Sequence, residues 1–193
     1  MMNRIVLTDV QFHPLTADRW SDLQRLFGEH GACSGCWCMY WRLTRSEFDR
    51  LGSDGRTQAF KGIVKSGEIT GILAYTGDEP IGWCSIAPRE TFGALERSRT
   101  LKRVDDRPVW SIVCFFVARP HRRAGLMIEL LRAAIDYAQK HGAQIVEGYP
   151  VEMKDRRYAG VELYTGVASV FDEAGFIEVR RQPRLIMRYF NPD

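Results

Sequence analysis

The chain has no long hydrophobic run: its longest purely apolar stretch, Ile112 to Ala118, is seven residues, far short of the roughly 20 a membrane-spanning helix needs. Charge of one sign is also scarce in excess. Lys plus Arg number 27 against 24 Asp plus Glu, a net +3, and nucleic-acid binders usually show a stronger, clustered surplus. Internal repeats, low-complexity tracts and interdomain linkers are missing. Cysteine is present but odd in number, five in 193 residues, which argues against a secreted disulfide framework. The first twelve residues carry Arg4 and Asp9 where a signal peptide would place its apolar stretch. The expectation is a cytoplasmic protein with no membrane partner.

What remains is ordinary globular material, 45% hydrophobic, 26% charged and 11% aromatic, of a length suited to one domain. Residues 5–12 alternate as a first strand. Thr16 can cap a helix reaching Phe27, with Trp20, Leu23, Leu26 and Phe27 as its buried stripe. A second helix is expected over 56–66, with Phe60, Ile63 and Val64 inward. Gly71–Thr76 and Ile81–Ala87 read as a hairpin about Gly77-Asp78-Glu79-Pro80. The connection 88–108 carries six basic and four acidic side chains and has length enough for a helix. Arg97, Arg99, Lys102, Arg103 and Arg107 fall there, but interleaved acids make a solvated loop the better reading than a nucleic-acid surface.

Val109–Ala118 leaves almost no polar face and reads as a central strand covered on both sides. The clearest helix follows it over Arg123–His141, with Leu126, Leu130, Ala134 and Ala138 every fourth residue and Gly142 as its stop. A strand over Ala143–Tyr149, a charged loop through Arg157, a short helix over 166–174 and a hairpin of 176–181 with 185–190 complete the pattern. The apolar C-terminal hairpin could pair across a homodimer. The class is α/β or α+β with a mixed sheet.

The joint between central strand and long helix, Arg119-Pro120-His121-Arg122-Arg123-Ala124-Gly125-Leu126-Met127, suits an anion. A helix N-terminus offers about four unpaired N–H groups and a partial positive charge. Gly125 lets a ligand approach the backbone, and three arginines add charge.

Arg122-x-x-Gly125 resembles the R/Q-x-x-G-x-G/A signature of the GNAT superfamily of acetyltransferases. Ser169 to Phe176 resembles that family's later helix ending in Gly-Phe. The resemblance spans roughly 70–190. It implies a GNAT acyltransferase fold, a mixed and mostly antiparallel sheet flanked by helices, with residues 1–69 as a helical, substrate-facing part. It implies acetyl-CoA as co-substrate, its pyrophosphate on the backbone from Arg122 through Arg123, Ala124, Gly125 and Leu126 to Met127. The edge of Phe115, Phe116 and Val117 would take the pantetheine arm as an added strand. It further implies direct acetyl transfer to a primary amine, expected to be that of a small molecule. Two departures stand out: Met127 replaces a Gly or Ala, and Phe171 replaces a Tyr that protonates the leaving thiolate in many members. Another donor, solvent or direct release of the thiolate would have to serve; Tyr164 is a candidate substitute acid, with packing the commoner role for such a tyrosine. Glu147, on the strand beside the cofactor strand, is the leading base, with pairing to an arginine the equal alternative. Glu152 and His121 are weaker candidates.

Cys33-x-x-Cys36-x-Cys38 stands outside that pattern. Zinc would need a fourth ligand from His30, Cys84 or Cys114, so no metal is expected and zinc is the minority reading beside thiol chemistry. The plainest reading is small buried residues beneath Trp37, Tyr40 and Trp41. The segment is similar to a Cys-Trp-Cys-Met-aromatic-Trp-Arg stretch of bacterial GNAT proteins. Trp37, Tyr40, Trp41 and Trp83 are candidates to line the acceptor pocket. A non-catalytic acyl-CoA-binding, metal- or thiol-sensing module on the same fold is the alternative function.

Overall fold

The computed structural model describes residues 9–153 and 163–192. Positions 5–8 of the expected first strand and 154–157 of the expected charged loop lie outside them. Seven strands form one mixed sheet: β1 (Val10–Pro14), β2 (Ile72–Thr76), β3 (Glu79–Pro88), β4 (Trp110–Val117), β5 (Ile145–Gly148), β6 (Ile177–Arg180) and β7 (Ile186–Phe190). Their order is β1-β2-β3-β4-β5-β7-β6, and every neighbouring pair is antiparallel except β4 with β5. The N-terminal part therefore contributes an edge strand as well as helices.

Helices cover both faces. α1 (Trp20–Phe27) buries the four side chains of its expected stripe. α2 (Arg45–Lys65) starts eleven residues before the expected 56. Its first half has no apolar stripe. A capping box starts it instead: Thr44 Oγ1 accepts the Glu47 N–H, and the Glu47 carboxylate accepts the Thr44 N–H at 2.8 Å. Gly52, at φ 59°, kinks it before Arg56, Phe60 and Val64 turn inward. The connection after β3 holds a 3-10 turn over Arg89–Thr91 and a single helical turn, α3 (Gly93–Glu96), and α4 (Leu126–Lys140) packs Leu126, Leu130, Leu131, Ala134, Ile135 and Ala138 onto the sheet. Each leucine so buried contributes about 1.5–3 kcal/mol. α5 (Ala168–Glu173) precedes β6.

β4 is covered on both faces as its composition predicts. Ile112 and Phe115 join the core under α4, while Cys114 and Phe116 pack against the core under α1 and α2. Its pairing with β5 is short, only Trp110 with Val146, Ser111 with Glu147 and Ile112 with Gly148. Beyond Ile112 the two strands part.

A buried polar network crosses this seam. Glu147 is 0% exposed. One carboxylate oxygen accepts Arg89 Nη1 at 2.8 Å and the Tyr149 hydroxyl at 2.7 Å; the other accepts Arg188 Nε at 2.7 Å. Ser111 on β4 meets the Tyr149 hydroxyl at 2.8 Å. Glu96 and Asp105 balance the two guanidinium groups from outside. Breaking a buried pair by removing one partner strands the other charge in low dielectric. Glu147→Ala is therefore expected to cost about 3 kcal/mol or more, read as a lowered urea midpoint. An unchanged midpoint would mean the network adds nothing to stability.

Candidate active site

After β4 the chain makes one turn at Arg119–His121, extends at Arg122 and enters left-handed backbone at Arg123 (φ 62°) and Gly125 (φ 82°) before α4 begins. A non-glycine residue in that region is costly and clusters at ligand clamps. The backbone N–H groups of Arg123, Ala124, Gly125, Leu126 and Met127 have no acceptor among the described residues. Arg122 differs: its N–H reaches the Arg119 carbonyl at 3.5 Å, and its Nε donates to the Val117 carbonyl at 3.0 Å. It fastens the loop to the end of β4 rather than offering its amide. Leu126 is buried and Met127 packs against the main core, so neither side chain crowds the exposed amides. The result is an N-terminal cradle of five free donors at the positive end of a four-turn helix.

The same strand leads into a cavity of about 360 Å³ on the α1/α2 side of the sheet. Val113, Cys114, Phe115 and Phe116 form its floor. Tyr40, Trp41 and Phe48 supply rings, Tyr164 a phenol, Cys33, Cys36 and Cys38 thiols, and Arg45 the one charged side chain among the lining residues. Tyr40 and Trp41 thus stand where expected. Trp37 and Trp83 do not. Trp37 stacks on Trp20 at 5.8 Å in the core. Trp83 is 0% exposed and donates its indole N–H to Cys38 Sγ at 3.1 Å. Phe48 and Cys114 were missed. Phe48 sits in the polar half of α2, and Cys114 lies within a run whose two faces look alike in sequence.

The cysteine segment is held in unusual backbone. Gly31, Ala32, Ser34, Gly35, Trp37 and Cys38 all have φ between 44° and 66°. Gly31 could bear no side chain, because a Cβ would meet the Trp37 indole at 2.1 Å. All five cysteines are free. Burial pushes Cys36 up to about 11, with Cys38 beside it adding to the rise. The Cys114 thiol is raised by the hydrogen bond it donates to Cys38 and by burial. Among the described residues, no group of three His, Cys, Asp or Glu is placed to hold a metal ion.

The carboxylate expected to act as base sits elsewhere. Glu147 is locked between Arg89 and Arg188 and is not among the cavity's lining residues, so the arginine-paired alternative describes its surroundings. Glu152 pairs with Arg181 at 2.6 Å, and His121 lies 3.9 Å from Glu79. Phe171 is 0% exposed and fills the gap where β4 and β5 part, edge-on to Phe115 at 6.2 Å. Gly148 and Gly166 make room for it: a Cβ on either would lie within 2.7 Å of its ring. Tyr164 does reach the cavity, and burial pushes its phenol up to about 12. Its carbonyl accepts the Phe115 N–H at 2.6 Å, on the edge of β4 that faces the parting. Strand alternation puts Val117 on that same edge.

No curated protein sequence matches the chain, and no helix among the described residues is long and apolar enough to cross a membrane. Solved structures share the fold. A ribosomal-protein-S5-alanine acetyltransferase from Vibrio fischeri superposes with a TM-score of 0.55 at 11% identity, covering 96% of this chain and 94% of that one. The putative acetyltransferase yncA from Salmonella typhimurium, solved with acetyl-CoA, gives 0.52 at 13%, covering 96% and 95%. NAA60 from Arabidopsis thaliana, also with acetyl-CoA, gives 0.51 at 17%, covering 94% and 99%. The acetyltransferase (GNAT) family model matches residues 36–159, and with the cradle and the parted strands in place the chain belongs to that family.

Proposed function

We propose that this acetyltransferase moves an acetyl group from acetyl-CoA directly to a primary amine of a small molecule, in the cytoplasm. One observation carries the reading: five free amides at the start of α4 adjoin the open edge of β4, and that edge runs into an aromatic cavity. Anion cradle, strand edge and acceptor pocket follow one another along a single segment. Five free thiols suit a reducing compartment.

The residues present fit the coenzyme. Amides of Arg123 to Met127 would hold the pyrophosphate, with Arg122 and Arg123 adding charge. The Phe115 N–H, now bonded to the Tyr164 carbonyl, and the Val117 edge would receive the pantetheine arm in the manner of an added strand. Bound there, the coenzyme supplies an activated acetyl thioester. Tyr164 keeps its proton at neutral pH, because burial opposes the phenolate. Its hydroxyl can therefore deliver a proton to the departing sulfur, the task for which Phe171 has no proton.

Gly125→Trp is expected to abolish acetyl-CoA binding in calorimetry while the circular dichroism spectrum stays folded. Retained affinity would remove the cradle from the reading. Tyr164→Phe should lower kcat by roughly 100-fold with acetyl-CoA affinity kept; an unaltered kcat would disqualify it as the acid. A thiol-sensing role is disfavoured by the raised Cys36, since the thiolate is the reactive form. Iodoacetamide should alkylate Cys36 at pH 8 roughly 100-fold more slowly than free cysteine. Its rate should keep climbing about tenfold per pH unit above the ordinary thiol range. A rate that levels off near pH 8.5 would revive the sensor.

A further inference from the structure

The walls of the cavity have a definite chemical character. Rings of Tyr40, Trp41, Phe48, Phe115 and Phe116 surround it, with sulfur from four cysteines between them. Aromatic faces and soft sulfur favour a flat apolar guest through dispersion and sulfur–ring contacts.

No carboxylate is among the residues that line the cavity. Arg45 lines it, paired on its outer side with Asp49 at 2.8 Å. The Arg184 guanidinium acts on the Tyr164 phenol and Arg122 acts on Cys33. Burial lowers the pKa of the Arg42 guanidinium, and Glu68 is the carboxylate that acts against that shift. Two donor atoms of Arg42, Nε and Nη2, are buried without a partner. The buried carboxylate of Glu147 is spent on Arg89 and Arg188. An alkylammonium entering here would exchange water for rings and thiols, with no carboxylate among the lining residues to pair with it.

We infer that the acceptor is a primary aromatic amine, an NH2 carried directly on a flat ring. This rests on the acetyl-transfer reading above and names its substrate class. An anilinic nitrogen shares its lone pair with the ring and enters uncharged at neutral pH, so no base has to strip it first. Its nitrogen attacks the thioester carbonyl; the C–N bond forms and the C–S bond breaks. The surplus proton on nitrogen leaves to water, and the sulfur takes the proton held by Tyr164.

Two isomers isolate the property in question. 4-Methylaniline and benzylamine have the same atoms, but only benzylamine is an ammonium at neutral pH. Tryptophan fluorescence of the full chain without coenzyme reads binding, calorimetry reads acetyl-CoA, and thiol release reads transfer. 4-Methylaniline is expected to bind about tenfold or more tighter than benzylamine, with a transfer rate flat between about pH 6.5 and 8.5. Tyr40→Ala, at an exposed position, should weaken its binding about tenfold. Tighter binding of benzylamine, a rate rising with pH as an ammonium deprotonates, or an unaffected Tyr40→Ala variant would overturn the inference. If acetyl-CoA fails to bind, the acetyl-transfer reading falls while the fluorescence arm still decides the ligand class. If acetyl-CoA binds and 4-methylaniline neither binds nor is acetylated, the aromatic-amine inference falls alone.

Discussion

The sheet is two antiparallel pieces joined by a parallel seam three residue pairs long, and Glu147 bears much of the joining. Strands β1 to β4 form one piece and β5, β7 and β6 the other. Arg89 comes from the end of β3, Tyr149 from the end of β5 and Arg188 from β7, and all three converge on one carboxylate. Hydrogen bonds to a charged group are stronger than neutral ones, and in a dry interior they tolerate little displacement. Both oxygens of the carboxylate are engaged. Firm closure on one side of Ile112 permits the parting on the other.

That parting has a backbone consequence. A central strand normally spends both edges on its neighbours, yet β4 beyond Ile112 pairs fully only with β3. Its other edge meets the Tyr164 carbonyl at Phe115 instead of a strand. The loop that follows inherits the same direction, so the free amides of α4 lie at the far end of the same path. Across the sheet the segment Gly31–Cys38 pays for its left-handed residues with contacts: Trp37 on Trp20, and Cys38 under the Trp83 indole. Each such non-glycine residue costs of order 1–3 kcal/mol and persists only where its surroundings over-determine it. Two tryptophans that composition alone would send to a binding pocket are consumed in that task.

The elements read well from sequence are those whose burial shows as a period. The α1 stripe, the β4 run and the α4 repeat at every fourth residue all appear where their spacing puts them, as does the turn into α4, where Gly125 and the arginines are local signals. The start of α2 was legible in Thr44-x-x-Glu47 but hidden by the polar residues that follow, which carry no stripe. Glu147 shows the limit more sharply. Its neighbours in sequence are apolar, which suits a perturbed base equally with a paired anion, and its partners lie 58 and 41 residues away. The pocket is opaque for a related reason. Trp37 and Trp41 are four residues apart, yet left-handed backbone at Trp37 and Cys38 breaks any helical relation between them, so spacing cannot say which one faces inward.

Phe171 and Tyr164 together show packing deciding chemistry. The Phe171 ring is wedged between Gly148 and Gly166 with no exposed surface. A hydroxyl added to it would be buried among Phe115 and Phe176 at an unsatisfied cost of about 1–3 kcal/mol. The tight fit that keeps β4 and β5 apart therefore excludes a phenol from that position. Seven residues earlier, Tyr164 lines the cavity, where burial raises its phenol and Arg184 is the cation acting on it. A phenol on the helix has no room there in this chain, and in the proposed transfer its task falls to Tyr164 in the loop before the helix.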